Sequence, residues 1–176
     1  NQQKFEASLF EARKLIENIF DQEEDFYICS MSSQTIVYKG LMMPAAIKEF
    51  YLDIASKHFI SKLCLFHQRF STNTSPKWHL AQPFRMLAHN GEINAIKGNR
   101  NWARSRKGKF ASPLLNNIKK YKNLVNETGS DSSALDNMLE LLSKGGVSIF
   151  RALRMVIPPA WQNIHIQDPE IRAFHE

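Results

Sequence analysis

Cysteine is nearly absent: Cys29 and Cys64 are the two in 176 residues, and each sits inside an apolar run. Two thiols are too few for a disulfide framework or for the ligand set of an iron–sulfur cluster, and a reducing compartment is expected. The histidines do not replace them, since His79, His89 and His165 lack a matched metal-ligand spacing. Glycine and proline are also sparse, seven of each, so no Gly-rich dinucleotide fingerprint and no linker rich enough to divide the chain can be read. No apolar run is long enough to cross a bilayer, and the opening segment is charged and amphipathic without a signal-peptide layout, which points to the cytoplasm. No internal repeat occurs.

What is present describes a globular protein. Hydrophobic residues make up 43% and charged residues 23%, enough apolar material for one ordinary core without staples. The net charge of +6 raises nucleic acid as a partner, and the densest basic run is Lys97, Arg100, Arg104, Arg106, Lys107 and Lys109. Asn99, Asn101 and Trp102 dilute it and no zinc finger or recognition helix accompanies it. A solvated or inter-domain face is the expectation, with no specific nucleic acid.

Periodicity orders the chain. Phe5, Leu9, Ala12, Ile16 and Ile19 recur at helical spacing. After the acidic break 21–25, residues 26–31 and 35–38 read as two short strands of a hairpin, and 45–55 as a helix opened by Pro44. Strands are expected at 62–66 and 84–88, a loop at 73–78, and a helix at 92–106, at least in its second half. Pro113 can start a short helix. Residues 123–129 read as irregular, Ser130 as the cap of a helix over 131–143 stopped by Gly145-Gly146, and 147–157 as a helix closed by Pro158. The last stretch, 161–176, contains polar turns. The class is α+β, with a few strands delivering functional residues at their ends.

Three segments carry chemistry: His67-Gln68-Arg69-Phe70-Ser71-Thr72-Asn73, His89-Asn90-Gly91-Glu92-Ile93-Asn94 and Gly129-Ser130-Asp131-Ser132-Ser133. They offer a cation, an amide beside a glycine and a carboxylate. Such a set can hold an amino acid by both charged ends while an oxyanion develops between them. An obvious nucleophile is missing. Cys64 with His67 fails as a dyad, because three positions along a strand put them on opposite faces. Each residue taken singly has a plainer reading: Arg69 as an ion-pair residue, Asp131 as a helix-start residue, Asn90-Gly91 as a tight turn, His67 as a packed histidine.

Joint occurrence goes further. The runs Cys64 to Thr74, Ala88 to Asn94 with Gly98-Asn99, and Gly129 to Ser133 with Leu135-Asp136-Asn137 resemble the class II glutamine amidotransferase domain of the large subunit of bacterial glutamate synthase. Phe26 to Ser30, Tyr38-Lys39-Gly40 and Pro158 to Trp161 extend the likeness over nearly the whole chain. The resemblance implies an N-terminal-nucleophile hydrolase fold, a four-layer αββα sandwich, with 1–176 as the middle part of one domain. It also implies an N-terminal cysteine thiolate that attacks the glutamine amide and has no counterpart here, so the segment alone is expected to be inactive. Carried over by position, Arg69 holds the α-carboxylate of glutamine, and Asn90 and Gly91 form the oxyanion hole. Asp131 receives the α-ammonium, while Phe70, Ser71, Thr72 and His89 line or support the pocket. The parent's reaction would pass ammonia to 2-oxoglutarate to give glutamate, using FMN, an iron–sulfur cluster and NADPH through a small partner subunit. None of these cofactors is expected in this segment. A non-catalytic basic binding module, or a structural segment of another amidotransferase, stays open as the alternative.

Overall fold

Six α-helices and several 3-10 turns carry the computed structural model, which describes residues 1–68, 75–158, 160 and 168–175. The helices are α1 (Gln2–Ile19), α2 (Ile47–Phe50), α3 (Ile96–Arg106), α4 (Asp131–Lys144), α5 (Ile149–Val156) and α6 (Pro169–His175). Local chemistry sets their ends. The Asn1 side chain accepts from the Gln3 N–H, Ser130 from Ser133 and Ser148 from Arg151, each satisfying a donor that a helix start leaves orphaned. After α4, Gly145 caps the helix and Gly146 takes φ 101°, so that the Val147 N–H returns to the Leu142 carbonyl, as expected for a glycine stop.

Helix α4 is the hub: it packs on α5 and also meets α1 and α3. One core joins Ala7 and Phe10 of α1 to Leu115, Ile118, Tyr121, Leu124 and Leu141, with Phe10 edge-on to Tyr121. A smaller cluster joins Ala103 of α3 to Val125 and Ala134.

The inward face of α1 is not the apolar stripe read from spacing. Phe5 and Ile19 are exposed, whereas Glu6, Ala7, Phe10, Glu11 and Arg13 are buried. The charged residues can be inside because each is paired: Arg13 bridges Glu17 at 2.6 Å and Glu140 of α4 at 2.5 Å, and Glu6 accepts from Lys144, Ser32 and Ser33. Polar contacts decided the face where hydrophobicity alone had pointed elsewhere.

The four expected strands are not formed; among the described residues there is no strand. Side chains have taken the donors a ladder would need. Ser30 Oγ accepts the Val37 N–H, Glu6 the Ser33 N–H, and Asp136 both the Met86 and Leu87 N–H groups. Residues 62–66 lie exposed, with Leu63 at 82% and Phe66 at 79%, and an isolated strand has no neighbour to satisfy it. The expected helix over 45–55 is shorter, a 3-10 turn Pro44–Ala46 followed by α2. Pro113 starts no helix; the nearest is the 3-10 turn Ile118–Lys120. Helix α6 lies where only turns had been read.

Candidate functional site

The turn His89-Asn90-Gly91 is assembled from side chains rather than from a sheet. The primary amide of Gln82 pairs with the backbone of His89 in both directions: Nε2 donates to the His89 carbonyl at 2.7 Å, and Oε1 accepts the His89 N–H at 2.5 Å. Further back, the Lys39 ammonium, buried against the rings of Tyr27 and Phe84, donates to the Ala81 carbonyl at 2.6 Å. Burial pushes the Lys39 amine down to about 8. Between these points Phe84 N–H closes on the Leu87 carbonyl, and Asp136 Oδ1 accepts from Met86 and Leu87 at 2.7 and 3.2 Å. The nine residues from 81 to 89 are thus fixed at both ends and in the middle.

Helix α4 holds the other side. Asp131 Oδ2 accepts the Ile93 N–H at 2.5 Å, while Oδ1 accepts from the N–H and hydroxyl of Ser132. The ring of His89 meets Ser132 Oγ at 2.8 Å. Burial works against ionisation of Asp131, but the Ile93 and Ser132 donors outweigh it and hold the carboxyl below its usual range, so it is an anion at neutral pH. A Cβ at Gly91 would stand 2.9 Å from His89 Nε2, so a side chain there would have to displace the His89 ring from Ser132. Asn90 and Gly91 themselves are exposed.

Two of the three chemical segments are therefore brought into direct contact. His89 and Asp131 are joined through Ser132 and Ile93, with Asn90 and Gly91 on the turn between. Arg69, Phe70, Ser71 and Thr72 lie outside the described residues. Gln82, Ser132 and Asp136 bond to the backbone or ring of this segment, and the sequence reading did not single them out for a role. Gln82 stands next to Pro83, across a cis peptide bond, and that dipeptide was the available signal.

Most of the basic run is exposed, Lys97, Arg104, Arg106 and Lys109 among it, and Arg100 and Lys107 are half-buried. Arg100 donates to the carbonyls of Gly129 and Ser130, Arg104 pairs with Glu127 at 3.0 Å, Lys107 donates to the Lys122 carbonyl, and Arg106 lies over the Trp102 ring. A cavity of about 670 Å³ lies nearby, lined by Glu17, Tyr27, Arg85, Asn126, Ser133 and Asn137; neither Asn90 nor Asp131 borders it. Cys29 and Cys64 are free thiols. Among the described residues there is no group of three potential metal ligands, and no helix long and apolar enough to cross a membrane.

Comparison with known proteins decides what this arrangement belongs to. The profile of the family described as Glutamine amidotransferases class-II matches residues 1–176. The chain belongs to the class II glutamine amidotransferases. The segment is 43% identical over 178 residues to Glutamate synthase [NADH] of Saccharomyces cerevisiae, covering 100% of this chain and 8% of that protein. It is 45% identical over 175 residues to Glutamate synthase [NADPH] large chain of Bacillus subtilis, covering 98% and 11%. Against the chloroplastic ferredoxin-dependent glutamate synthase of Oryza sativa subsp. japonica, the figures are 40% over 183 residues, 100% and 11%. This amidotransferase segment thus spans about a tenth of the length of the relatives it matches.

Proposed function

We propose that this segment is the glutamine-binding and oxyanion-stabilising part of the amidotransferase domain of a glutamate synthase. The reading is carried by one observation, the contact of the His89 to Ile93 turn with Asp131 and Ser132. It puts an amide side chain and a glycine N–H on the same small surface as a carboxylate kept ionised. In this reading Asp131 receives the α-ammonium of glutamine and Arg69 its α-carboxylate. Asn90 Nδ2 and the Gly91 N–H take up the negative charge that forms on the amide oxygen when a thiolate attacks, and collapse of that intermediate releases ammonia. The thiolate in this reading comes from a residue other than Cys29 and Cys64, neither of which matches the position of the family's N-terminal cysteine. Phe70, Ser71 and Thr72 line the pocket, and His89 supports it.

The domain in this reading is the four-layer N-terminal-nucleophile hydrolase sandwich, with 1–176 as its central part. Ammonia passes to 2-oxoglutarate elsewhere in a longer protein, where FMN, an iron–sulfur cluster and a reductant complete glutamate formation. The residues here do not fit a cluster, since two cysteines cannot supply its ligands. Relatives named for NADH, NADPH and ferredoxin share this segment at 40–45% identity, so it serves enzymes with different electron donors. NADPH delivered by a small subunit is the donor proposed here. The alternative of a basic binding module is disfavoured by the engagement of Arg100 with the Gly129 and Ser130 carbonyls and by the pairing of Arg104 with Glu127.

The test is Asn90→Ala in the full-length protein, assayed for glutamine-dependent ammonia release. Loss of one oxyanion donor is expected to lower kcat by about a hundredfold or more, roughly 3 kcal/mol, with KM little changed. An unchanged kcat would sink the assignment.

A further inference from the structure

We propose that Gln82 is the positioning residue of the oxyanion turn, fixing the approach to Asn90 and Gly91 by holding the His89 backbone with both halves of its side-chain amide. The inference rests on the oxyanion reading of that turn. An antiparallel strand neighbour would offer His89 one acceptor and one donor; the Gln82 amide offers the same pair, at 2.5 and 2.7 Å. His89 is the residue immediately before Asn90. With its N–H and carbonyl both engaged and its ring on Ser132, the peptide that leads into Asn90 has one orientation. That orientation sets where the Asn90-Gly91 peptide begins, and an oxyanion donor displaced by a fraction of an ångström loses most of its worth.

Gln82 is itself held. Ala81 is buried and its carbonyl is taken by Lys39, while the next turn is tied to α4 through Asp136. The amide is half-buried, so its bonds to His89 are partly shielded from competing water. No part of this requires Gln82 to touch glutamine, which separates its role from those of Arg69 and Asp131.

Its chemistry supplies a sharp test. A carboxylate at position 82 can accept the His89 N–H but presents a lone pair to the His89 carbonyl; the protonated carboxyl group restores the donor and reproduces the amide pattern. Charged groups facing this turn are the Lys39 ammonium on Ala81, Arg85, and Asp136 on Met86 and Leu87; the cations favour the ionised carboxylate of Gln82→Glu and move its protonation toward the acid end of the range, while their influence on the rest of the site divides out in the ratio to wild type. In the full-length protein, Gln82→Ala and Gln82→Glu are compared with wild type for ammonia release per folded molecule between pH 5 and 8. For Gln82→Ala, kcat is expected to fall about tenfold or more with KM within about twofold, as for loss of orientation without loss of binding. For Gln82→Glu, the ratio of variant to wild-type kcat is expected to be lowest at pH 8 and to climb as pH falls and the carboxyl protonates. A ratio constant across pH, or an unaltered kcat in Gln82→Ala, overturns the proposal. Asn90→Ala run beside them separates the two claims. If Asn90→Ala is silent, the oxyanion reading fails and takes this inference with it; if only the Gln82 variants are silent, this inference alone fails.

Discussion

Arg100 of α3 donates from Nη2 to the Gly129 carbonyl oxygen at 2.5 Å, and the same nitrogen reaches the Ser130 carbonyl at 3.1 Å. A residue from the most basic stretch of the chain thereby fixes the peptide that leads into Asp131. Gly129 has no room for a Cβ beside Asn126 and Ser133, so the loop is compact as well as clamped.

Arg100→Lys keeps the charge and loses the planar fork. A cost of about 1–2 kcal/mol in urea unfolding is expected, from weakened hydrogen bonds to the two carbonyls. Because Asp131 follows directly, KM for glutamine should rise more than kcat falls. Unchanged stability and KM would show that the clamp is incidental.

Asp131→Asn tests the ammonium contact proposed above. The asparagine oxygen can still accept the Ile93 N–H, so the turn stays in place while the negative charge is lost. A charge-assisted hydrogen bond of roughly 1.5 kcal/mol corresponds to about a tenfold rise in KM. In the wild type Asp131 is held below its usual range, so KM should stay level from neutral pH down to about 5, where an ordinary aspartate is still ionised. A fall in kcat with KM unchanged would assign this carboxylate to holding the turn alone.

Asp136 gives a pH signature of opposite sign. It is 1% exposed, Oδ2 has no hydrogen-bond partner among the described residues, and burial, together with Glu140 nearby, pushes the carboxyl up to about 6 against an ordinary 3.8. A raised folded value means the contribution to stability is fully present below the unfolded value near 4 and is lost as pH rises through about 6. The displacement corresponds to about 3 kcal/mol carried by the neutral form and absent at pH 8. Asp136→Asn should therefore match or exceed wild-type stability at pH 8 and lose that relative advantage by pH 4.5. Parallel urea titrations at the two pH values report it; a stability difference independent of pH would show that Asp136 is not strained by its charge.

Much of the candidate site was legible because it lies in contiguous segments. His89 to Asn94 and Gly129 to Ser133 are written as such in the chain, and Ser130 and Gly145 mark the ends of α4 by local rules that need no partner. The supports were not legible, since Gln82 on His89, Asp136 on Met86 and Arg100 on Gly129 are side-chain bonds to backbone groups elsewhere, with no periodicity to betray them. Contacts of the same kind, Ser30 on Val37 and Asp136 on Met86 and Leu87, bear on the strands expected at 35–38 and 84–88: apolar runs announce burial, but here side-chain acceptors claimed N–H groups that a ladder would have used. On α1 the buried face was set by charged residues with partners at Glu140 and Lys144, which the spacing of apolar residues does not register.

The buried pair of Arg13 and Glu140 joins residues 127 positions apart, and Ala7 and Phe10 enter the same core as Leu115 and Leu141. The exposed stretch around Leu63 therefore connects two pieces that are already bound to each other by other means. A protease cut there removes a covalent link without removing a contact from that core. The nicked molecule should migrate on a sizing column as an uncut one and fall into two bands only when denatured, behaving as a heterodimer of its own halves.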